Sequence, residues 1–172
     1  IFLYLFIYTP SKRFSTLNTL IGSIPGALPV LGGWTAATNS LNSISWILFS
    51  ILFCWQIPHF LAIAIIYAKD YKKGGFKMLP SEYPNSKHTQ YHVLFFSIAM
   101  VGTSLGLYFK ANEIIDLVYL LGISVVGVLF LVVVLQFLFN SSNKNAKKLM
   151  RATLFYFPLL FILIILAAKG II

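Results

Sequence analysis

The stretch from Cys54 to Pro80, CWQIPHFLAIAIIYAKDYKKGGFKMLP, joins an apolar run that contains a histidine to an exit rich in Lys and Gly. On a helix at 100° per residue, His59 and Asp70 lie about 20° apart around the axis and roughly 16 Å apart along it. We therefore expect them to share one helix face, with a kink at Pro58. An ionisable residue deep in an apolar run indicates a functional site. The alternative for His59 is a neutral ring hydrogen-bonded to a neighbouring helix.

Composition places the chain in a membrane. Apolar residues make up 59% of the 172 residues, and charged residues only 10%. Several apolar runs reach the roughly 20 residues that a helix needs to cross a bilayer core. We therefore predict an all-α, polytopic transmembrane helix bundle. The formal charge of +9 lies mostly in short segments between the apolar runs, which indicates topology and lipid headgroups rather than nucleic acid.

The apolar runs predict five complete spans, preceded by eight residues that resemble the end of another helix. Glycines and prolines in the first span predict a broken or kinked helix, for close packing or for a pocket. Gly102 and Gly106 form a Gly-x-x-x-Gly pair, which indicates ordinary helix packing. The predicted spans are Leu20–Ala37, Ile44–Tyr67, Val93–Phe109, Leu117–Phe139 and Ala152–Ala168.

The polar segments between the spans predict the orientation in the membrane. Segments 9–19, 69–92 and 140–151 are expected to be loops, and alternation of the spans places them on one side. They hold eleven of the thirteen Lys and Arg residues. By the positive-inside rule this side is the cytoplasm of a bacterium or the matrix of a mitochondrion. The predicted location is therefore the bacterial plasma membrane or the mitochondrial inner membrane.

Two strings carry a specific resemblance to a known family. They are YTPSKRFSTLNTLIGSIPGALPVLGGW at 8–34 and the stretch at 54–80. Charged, proline, glycine and aromatic positions in both resemble the protoheme IX farnesyltransferases, or haem O synthases, of the intramembrane aromatic prenyltransferase superfamily. The resemblance implies a nine-helix fold in which residues 1–172 are the C-terminal part of a single transmembrane domain. The family's first acidic motif, Asn-x-x-x-Asp-x-x-x-Asp, is absent from this chain.

The resemblance also implies an activity. A farnesyl group would pass from farnesyl diphosphate to a vinyl group of haem b, giving haem O and diphosphate on the route that supplies terminal oxidases. The implied cofactor is Mg²⁺, bound with the diphosphate, and haem A synthase is a candidate partner. The wider superfamily has Asp-x-x-x-Asp in its second motif, whereas this chain has Gly74 at the second acidic position, as the haem branch does.

The resemblance assigns roles to residues in both quoted strings, 8–34 and 54–80. Asp70 would be the Mg²⁺ ligand, because carboxylates and cations can neutralise a departing diphosphate. Aromatic faces would stabilise the allylic cation that forms. The expected site residues are, for catalysis, Asp70, Lys73 and Tyr67; for the diphosphate, Lys12, Arg13, Lys73 and Lys77; and for the haem and prenyl pocket, His59, Trp55, Gln56, Tyr71 and Asn18.

Two alternative functions remain open from the sequence. A prenyltransferase acting on a quinone or chlorophyll precursor would be expected to carry a carboxylate at position 74. A transporter would explain the broken first span and His59 but not the lysine-rich segment around Asp70. His88 and His92, four residues apart, superficially suggest a metal site, and we favour a solvated loop there.

Overall fold

The computed structural model describes residues 2–84 and 87–168. Within this part of the chain, five helices are long and apolar enough to cross a membrane. The predicted all-α bundle with five spans is confirmed. After a π-helical segment, Leu3–Tyr8, the helices are α1 (Thr9–Phe14), α2 (Asn18–Thr38), α3 (Ser43–Ile66), α4 (Ala68–Lys73), α5 (Leu79–Glu82), α6 (His88–Ala111), α7 (Leu117–Phe139) and α8 (Asn143–Leu166).

Polar side chains fix where three of the long helices begin. At α3, Asn42 Oδ1 accepts the Ser45 N–H, and Ser45 Oγ accepts the Asn42 N–H, each at 3.1 Å. Asp116 Oδ1 accepts the Leu117 N–H at 2.9 Å at the start of α7. Ser142 Oγ accepts the Asn145 N–H at 3.4 Å at the start of α8. These caps satisfy backbone donors that a helix leaves unpaired at its first turn.

Helix α3 is the centre of the bundle, with α2, α6 and α8 packed around it, while α7 packs on α6 and α8. Its Ile51, Ile57 and Leu61 side chains are 1–2% exposed. Since lipid is as apolar as these side chains, close packing rather than the hydrophobic effect holds such helices together. Gly127 of α7 illustrates this, because a Cβ there would meet the Val101 side chain of α6 at 2.9 Å.

Large apolar side chains cover the outside of the bundle. On α7, Leu121, Val125 and Leu129 are 61–63% exposed. A soluble protein would not leave such a stripe in water, whereas a membrane span presents it to lipid acyl chains. The exposed apolar surface therefore agrees with the transmembrane helices that the composition predicts.

The basic segments meet at one end of the bundle. The Lys77 N–H donates to the Lys12 carbonyl at 2.8 Å, which joins the first two segments. Gln90 Nε2 donates to Ser141 Oγ at 2.6 Å, which joins the second to the third. We call this the basic end. At the opposite end, Ile115 bridges to Ala168 beyond α8.

Several expected loops are helical. Residues 9–14 form α1, and the 69–92 segment contains α4, α5 and the start of α6, apart from residues 85 and 86, which lie outside the described residues. His88 and His92 lie in the first two turns of α6, so the prediction of a loop there is wrong. Helix α8 begins nine residues before the predicted span, because Ser142 caps it and lysine is compatible with a helix.

Two predictions about small residues also change. Helix α2 is one continuous helix with Pro25 and Pro29 inside it, so it is not broken. A Cβ added to Gly102 or Gly106 would meet no heavy atom within 4 Å among the described residues. The Gly-x-x-x-Gly pair therefore does not form a helix contact within this part of the chain.

Candidate functional site

A hydrogen-bonded clamp at the basic end positions the candidate site. The side-chain amide of Asn18, at the start of α2, donates to the Lys77 carbonyl at 2.7 Å and to the Ser15 carbonyl at 2.7 Å. The Lys77 N–H donates back to the Lys12 carbonyl. Asn18 is 2% exposed, so both amide hydrogens are used in a buried position. The clamp holds the segment after α4 against α1 and the first turn of α2.

The clamp borders a cavity of about 260 Å³, which we call the Lys12 cavity. The Lys12 Nζ lies 4.3 Å from the centroid of the Tyr8 ring, within the range of a cation–π interaction. A positive charge beside aromatic faces suits an anionic ligand with an apolar body. The lining residues are Tyr4, Tyr8, Lys12, Asn18, Thr19, Gly22, Phe60, Tyr71, Phe76 and Met78.

Asp70 lines a second, more open cavity of about 310 Å³, the Asp70 cavity, with Tyr67, Tyr71 and Phe76. Tyr71 and Phe76 also line the Lys12 cavity, so the two cavities share a wall. The two rings meet edge to face, with centroids 6.2 Å apart. The structure therefore brings the predicted Asp70, Tyr67 and Tyr71 next to the predicted Lys12 and Asn18.

The Asp70 carboxylate is exposed, and within the described residues it has no hydrogen-bond or ion-pair partner. No group of three or more His, Cys, Asp or Glu side chains that could hold a metal occurs in that part of the chain. Mg²⁺ usually takes one or two carboxylates and completes its shell with water and substrate phosphates. An unpartnered carboxylate that lines a cavity fits this coordination, so Asp70 is the residue of this region that would hold Mg²⁺.

Gly74, at the position of the second acidic residue, lies next to the Phe76 ring. Its N–H donates to the Asp70 carbonyl at 2.9 Å and ends α4. A Cβ at this position would lie 3.1 Å from the Phe76 ring. The Phe76 ring, which lines both cavities, would have to move by a few tenths of an ångström to accommodate a side chain at this position.

Three predicted diphosphate ligands lie outside both cavities. Arg13, Lys73 and Lys77 are exposed, and none of them lines the Lys12 cavity or the Asp70 cavity. Lys77 contributes its backbone to the clamp rather than its ammonium group. From the surface these cations add positive potential at the basic end, which attracts anions without fixing their orientation.

Trp55 and His59 contact α8 on another side of α3. The two rings stack with centroids 4.8 Å apart. His59 Nδ1 lies 2.8 Å from Thr153 Oγ1, and Trp55 Nε1 donates to the Thr153 carbonyl at 2.7 Å. Neither residue lines the Lys12 cavity, whereas their neighbour Phe60 does. Any metal bound by His59 would have to use Nε2, because Thr153 occupies Nδ1.

Gln56 connects α3 to α2. Its side-chain amide donates to the Ser23 carbonyl at 3.2 Å and to the Leu52 carbonyl at 3.3 Å. Its side-chain oxygen lies where a Cβ on Gly26 would be, so Gly26 allows the two helices to approach. Gln56 is 6% exposed, and packing accounts for its contacts.

The expected shared face of His59 and Asp70 is wrong. Helix α3 ends at Ile66, and Tyr67 separates it from α4, which carries Asp70. The rotation of 100° per residue, from which the shared face was predicted, holds only within one uninterrupted helix. Consequently His59 contacts α8, whereas Asp70 lies at the Asp70 cavity.

Sequence reasoning missed several residues of the Lys12 cavity, namely Tyr4, Tyr8, Thr19, Gly22, Phe60, Phe76 and Met78. One signal was available. Tyr4, Tyr8 and Lys12 are spaced by four residues, as are Asn18 and Gly22, and such residues share a helix face. Phe60 and Met78 had no such signal, because their place in the cavity depends on how α3 and the segment after α4 pack against α2.

The long apolar helices define an integral, multi-pass membrane protein, with two adjoining cavities at its basic end. The family model described as the UbiA prenyltransferase family matches residues 1–166. The chain belongs to this family, as its two quoted strings indicate.

Three curated relatives of the chain carry the same name. The chain is 39% identical over 155 residues to the protoheme IX farnesyltransferase of Salinibacter ruber, covering 90% of this chain and 54% of the relative. It is 35% identical over 170 residues to that of Solibacter usitatus, covering 98% and 57%. It is 37% identical over 168 residues to that of Flavobacterium psychrophilum, covering 96% and 56%. The chain thus spans about half the length of these relatives. No solved structure matches the chain.

Proposed function

We propose that the full-length protein containing this chain transfers a farnesyl group from farnesyl diphosphate to a vinyl group of haem b, giving haem O and diphosphate. The observation that carries the proposal is the pair of adjoining cavities, one with Lys12 against aromatic rings and one with a free Asp70 carboxylate. Family membership and the names of the relatives support it. Residues 1–172 are then the C-terminal part of one domain, whose other helices bring the first acidic motif.

The first chemical step is ionisation of the allylic diphosphate. Its C–O bond breaks, and diphosphate leaves with the electron pair, so the site must stabilise negative charge on the leaving group. Lys12 is the cation that lines the cavity, and we assign it to the diphosphate. Bound Mg²⁺, held by Asp70, would neutralise further charge on the diphosphate. Arg13, Lys73 and Lys77 would attract the anion to the basic end from the surface.

The second step needs a pocket that stabilises the carbocation and keeps water away from it. Tyr8, Phe60, Tyr71 and Phe76 supply aromatic faces around the Lys12 cavity. The π electrons of the haem vinyl group then form the new C–C bond to the farnesyl cation. Water adds to the resulting cation beside the porphyrin and loses a proton, which leaves a hydroxyl group. Charge and atoms balance with diphosphate and one proton as the other products.

The haem-binding residues remain a prediction. Trp55 and His59 lie between α3 and α8, and Gln56 lies between α3 and α2, away from the Lys12 cavity. For haem to reach the farnesyl cation in the Lys12 cavity, the protein would have to open beside Phe60. This residue follows His59 and is 40% exposed. Haem A synthase as a partner, and the cytoplasmic or matrix side for the basic end, likewise remain proposals.

The diphosphate assignment is tested by binding. In the full-length protein we expect Lys12→Gln to weaken farnesyl diphosphate binding at least tenfold, because a charge-assisted hydrogen bond contributes roughly 1.5–3 kcal/mol. Lys110→Gln is the matched control, since Lys110 is exposed at the far end of α6. Equal affinity of the two variants would exclude Lys12 from the diphosphate site.

The acceptor is tested by turnover. Membranes with the full-length protein receive farnesyl diphosphate, Mg²⁺ and either haem b or an aromatic quinone precursor. We expect a farnesylated, hydrated haem by mass spectrometry and no prenylated quinone precursor. Prenylation of the quinone precursor alone would leave the family assignment intact and contradict the haem acceptor.

A further inference from the structure

Helix α8 extends about two turns beyond its apolar part at the basic end, and this extension carries a line of cations. Four exposed side chains form the line, namely Lys144, Lys147, Lys148 and Arg151. At 100° per residue they fall within about 100° of arc around the helix axis. The sequence of α8, Asn143–Leu166, contains no acidic residue that would neutralise them. We call this side of the first two turns the α8 basic face.

The α8 basic face points away from the bundle. The side chains of Ala146, Leu149 and Thr153 are each 0% exposed, and they lie about 180° around the axis from the centre of the cations. Helix α8 packs on α3 and α7. Lys148 Nζ donates to Gln136 Oε1 of α7 at 3.5 Å, but the amide is uncharged and does not neutralise the ammonium group. The face is therefore open to a negatively charged partner.

The same side of α8 becomes apolar where the helix enters the membrane. Phe155, Ile162 and Leu166 are 50–69% exposed and lie within about 50° of the centre of the α8 basic face. Because α8 is one uninterrupted helix, its phase is kept from the cations to these residues. Exposed apolar side chains on a membrane span contact lipid acyl chains. The α8 basic face therefore lies directly above a surface that acyl chains cover.

The depth of the cations matches the lipid headgroup layer. Arg151 comes directly before the apolar run that begins at Ala152, and Lys148 and Lys147 lie roughly 4.5 and 6 Å further out along the axis. The headgroup layer on each side of a bilayer is about 5–8 Å thick. Three cations are thus at the level of lipid phosphates, and Lys144 lies one turn above them. A soluble acidic protein would reach Lys144 alone without entering this layer.

We propose that the α8 basic face binds an anionic phospholipid, with the phosphate between Lys148 and Arg151 and the acyl chains along Phe155 and Ile162. Phosphate oxygens accept charge-assisted hydrogen bonds from ammonium and guanidinium groups. Lys147 adds a third positive charge, which favours a headgroup with net negative charge over a zwitterionic one. None of these residues lines the Lys12 cavity or the Asp70 cavity, so the proposal does not depend on the proposed reaction.

The test counts the lipids that the full-length protein retains. Protein reconstituted with equimolar phosphatidylglycerol and phosphatidylcholine is extracted in a mild detergent, and its bound lipids are identified by native mass spectrometry. The test variant, Lys148→Gln with Arg151→Gln, removes two charges from the α8 basic face. The matched control, Lys69→Gln with Lys72→Gln, removes two exposed charges at the same spacing from α4, which is not a span. Lys148→Arg with Arg151→Lys keeps both charges.

We expect the wild-type protein to retain phosphatidylglycerol in preference to phosphatidylcholine. The test variant should reduce this preference about 25-fold, since each cation at the membrane surface contributes about fivefold. The control and the charge-conserving variant should keep the preference. An equal preference in the test and control variants would overturn the proposal.

Two further probes separate the lipid from other anions at the same cations. Soluble glycerol phosphate should not be retained, because it lacks the acyl chains that contact Phe155 and Ile162. Retention of glycerol phosphate as strong as that of phosphatidylglycerol would overturn the lipid assignment. Binding of a soluble tetraglutamate peptide that depends on Lys148 and Arg151, without a preference for phosphatidylglycerol, would also overturn it and would indicate an acidic protein partner.

Discussion

The Asn18 clamp predicts a local change that can be measured without turnover. Asn18→Ala removes the two hydrogen bonds that the side-chain amide donates to the carbonyls of Lys77 and Ser15, each 2.7 Å long, and the 3.3 Å bond that its Oδ1 accepts from the Thr19 hydroxyl. Opening of the segment at 74–78 breaks the bond to Lys77 but not the bond to Ser15, so the relevant loss is about 1 kcal/mol, the net contribution of one neutral hydrogen bond. Since the Lys77 amide stays bonded to the Lys12 carbonyl, opening of this segment should become about fivefold more frequent.

Hydrogen exchange measured by mass spectrometry on the full-length protein provides the assay. Peptides that cover 74–78 should exchange about fivefold faster in Asn18→Ala, while peptides from α3 should not change. Asn145→Ala is the matched control, because Asn145 also donates to two backbone carbonyls, of Asn140 and Gln136, but in an exposed turn. If exchange at 74–78 is the same in both variants, the clamp does not hold the wall of the Lys12 cavity.

Two further substitutions test other parts of the site. Gly22→Ala places a Cβ on the Tyr8 ring and should weaken binding of farnesyl diphosphate about tenfold by overpacking, whereas Gly32→Ala, in open space on the same helix, should leave binding unchanged in the same titration. Thr153→Val removes the partner of His59 Nδ1 and should lower the free energy of unfolding by about 1 kcal/mol, measured by thermal unfolding. Haem affinity that is lost at unchanged stability would contradict a packing role for His59.

The number of spans and their centres could be predicted from the sequence. The predicted Leu117–Phe139 coincides with α7, because its apolar run has polar residues on both sides and Asp116 caps it. The predicted start at Ala152 was wrong for α8, which begins at Asn143. Hydropathy detects the part of a helix that lies in lipid, whereas a helix can extend beyond the bilayer wherever a cap and helix-forming residues permit.

The candidate site was only partly predictable. Asp70, Tyr71 and Lys12 were identified from residue type and resemblance, and the structure places them around two cavities with a common wall. The shared face with His59 was not correct, because the helix is interrupted at Tyr67 and helical phase is lost there. A break of this kind depends on tertiary packing, which a periodicity argument does not contain.

The hydrogen bonding of the Asn18 side chain could not be predicted from the sequence. It was expected in the prenyl or haem pocket, and it does line the Lys12 cavity. Its amide hydrogens, however, are used on the carbonyls of Ser15 and Lys77. The second of these contacts connects residues 59 positions apart, so it follows from the fold rather than from local pattern. We therefore expect Asn18 to position the cavity wall rather than to bind the substrate.

The most direct test of the proposed function is turnover by the full-length protein with Asp70→Asn. Asparagine keeps the size of the side chain but removes the charge that would hold Mg²⁺, and Asp116→Asn is the matched control because asparagine also caps a helix. In membranes with haem b, farnesyl diphosphate and Mg²⁺, we expect haem O from the wild type and the control and at least 100-fold less from Asp70→Asn, equivalent to about 2.7 kcal/mol of transition-state stabilisation. Haem O formation by Asp70→Asn at the wild-type rate would contradict the account.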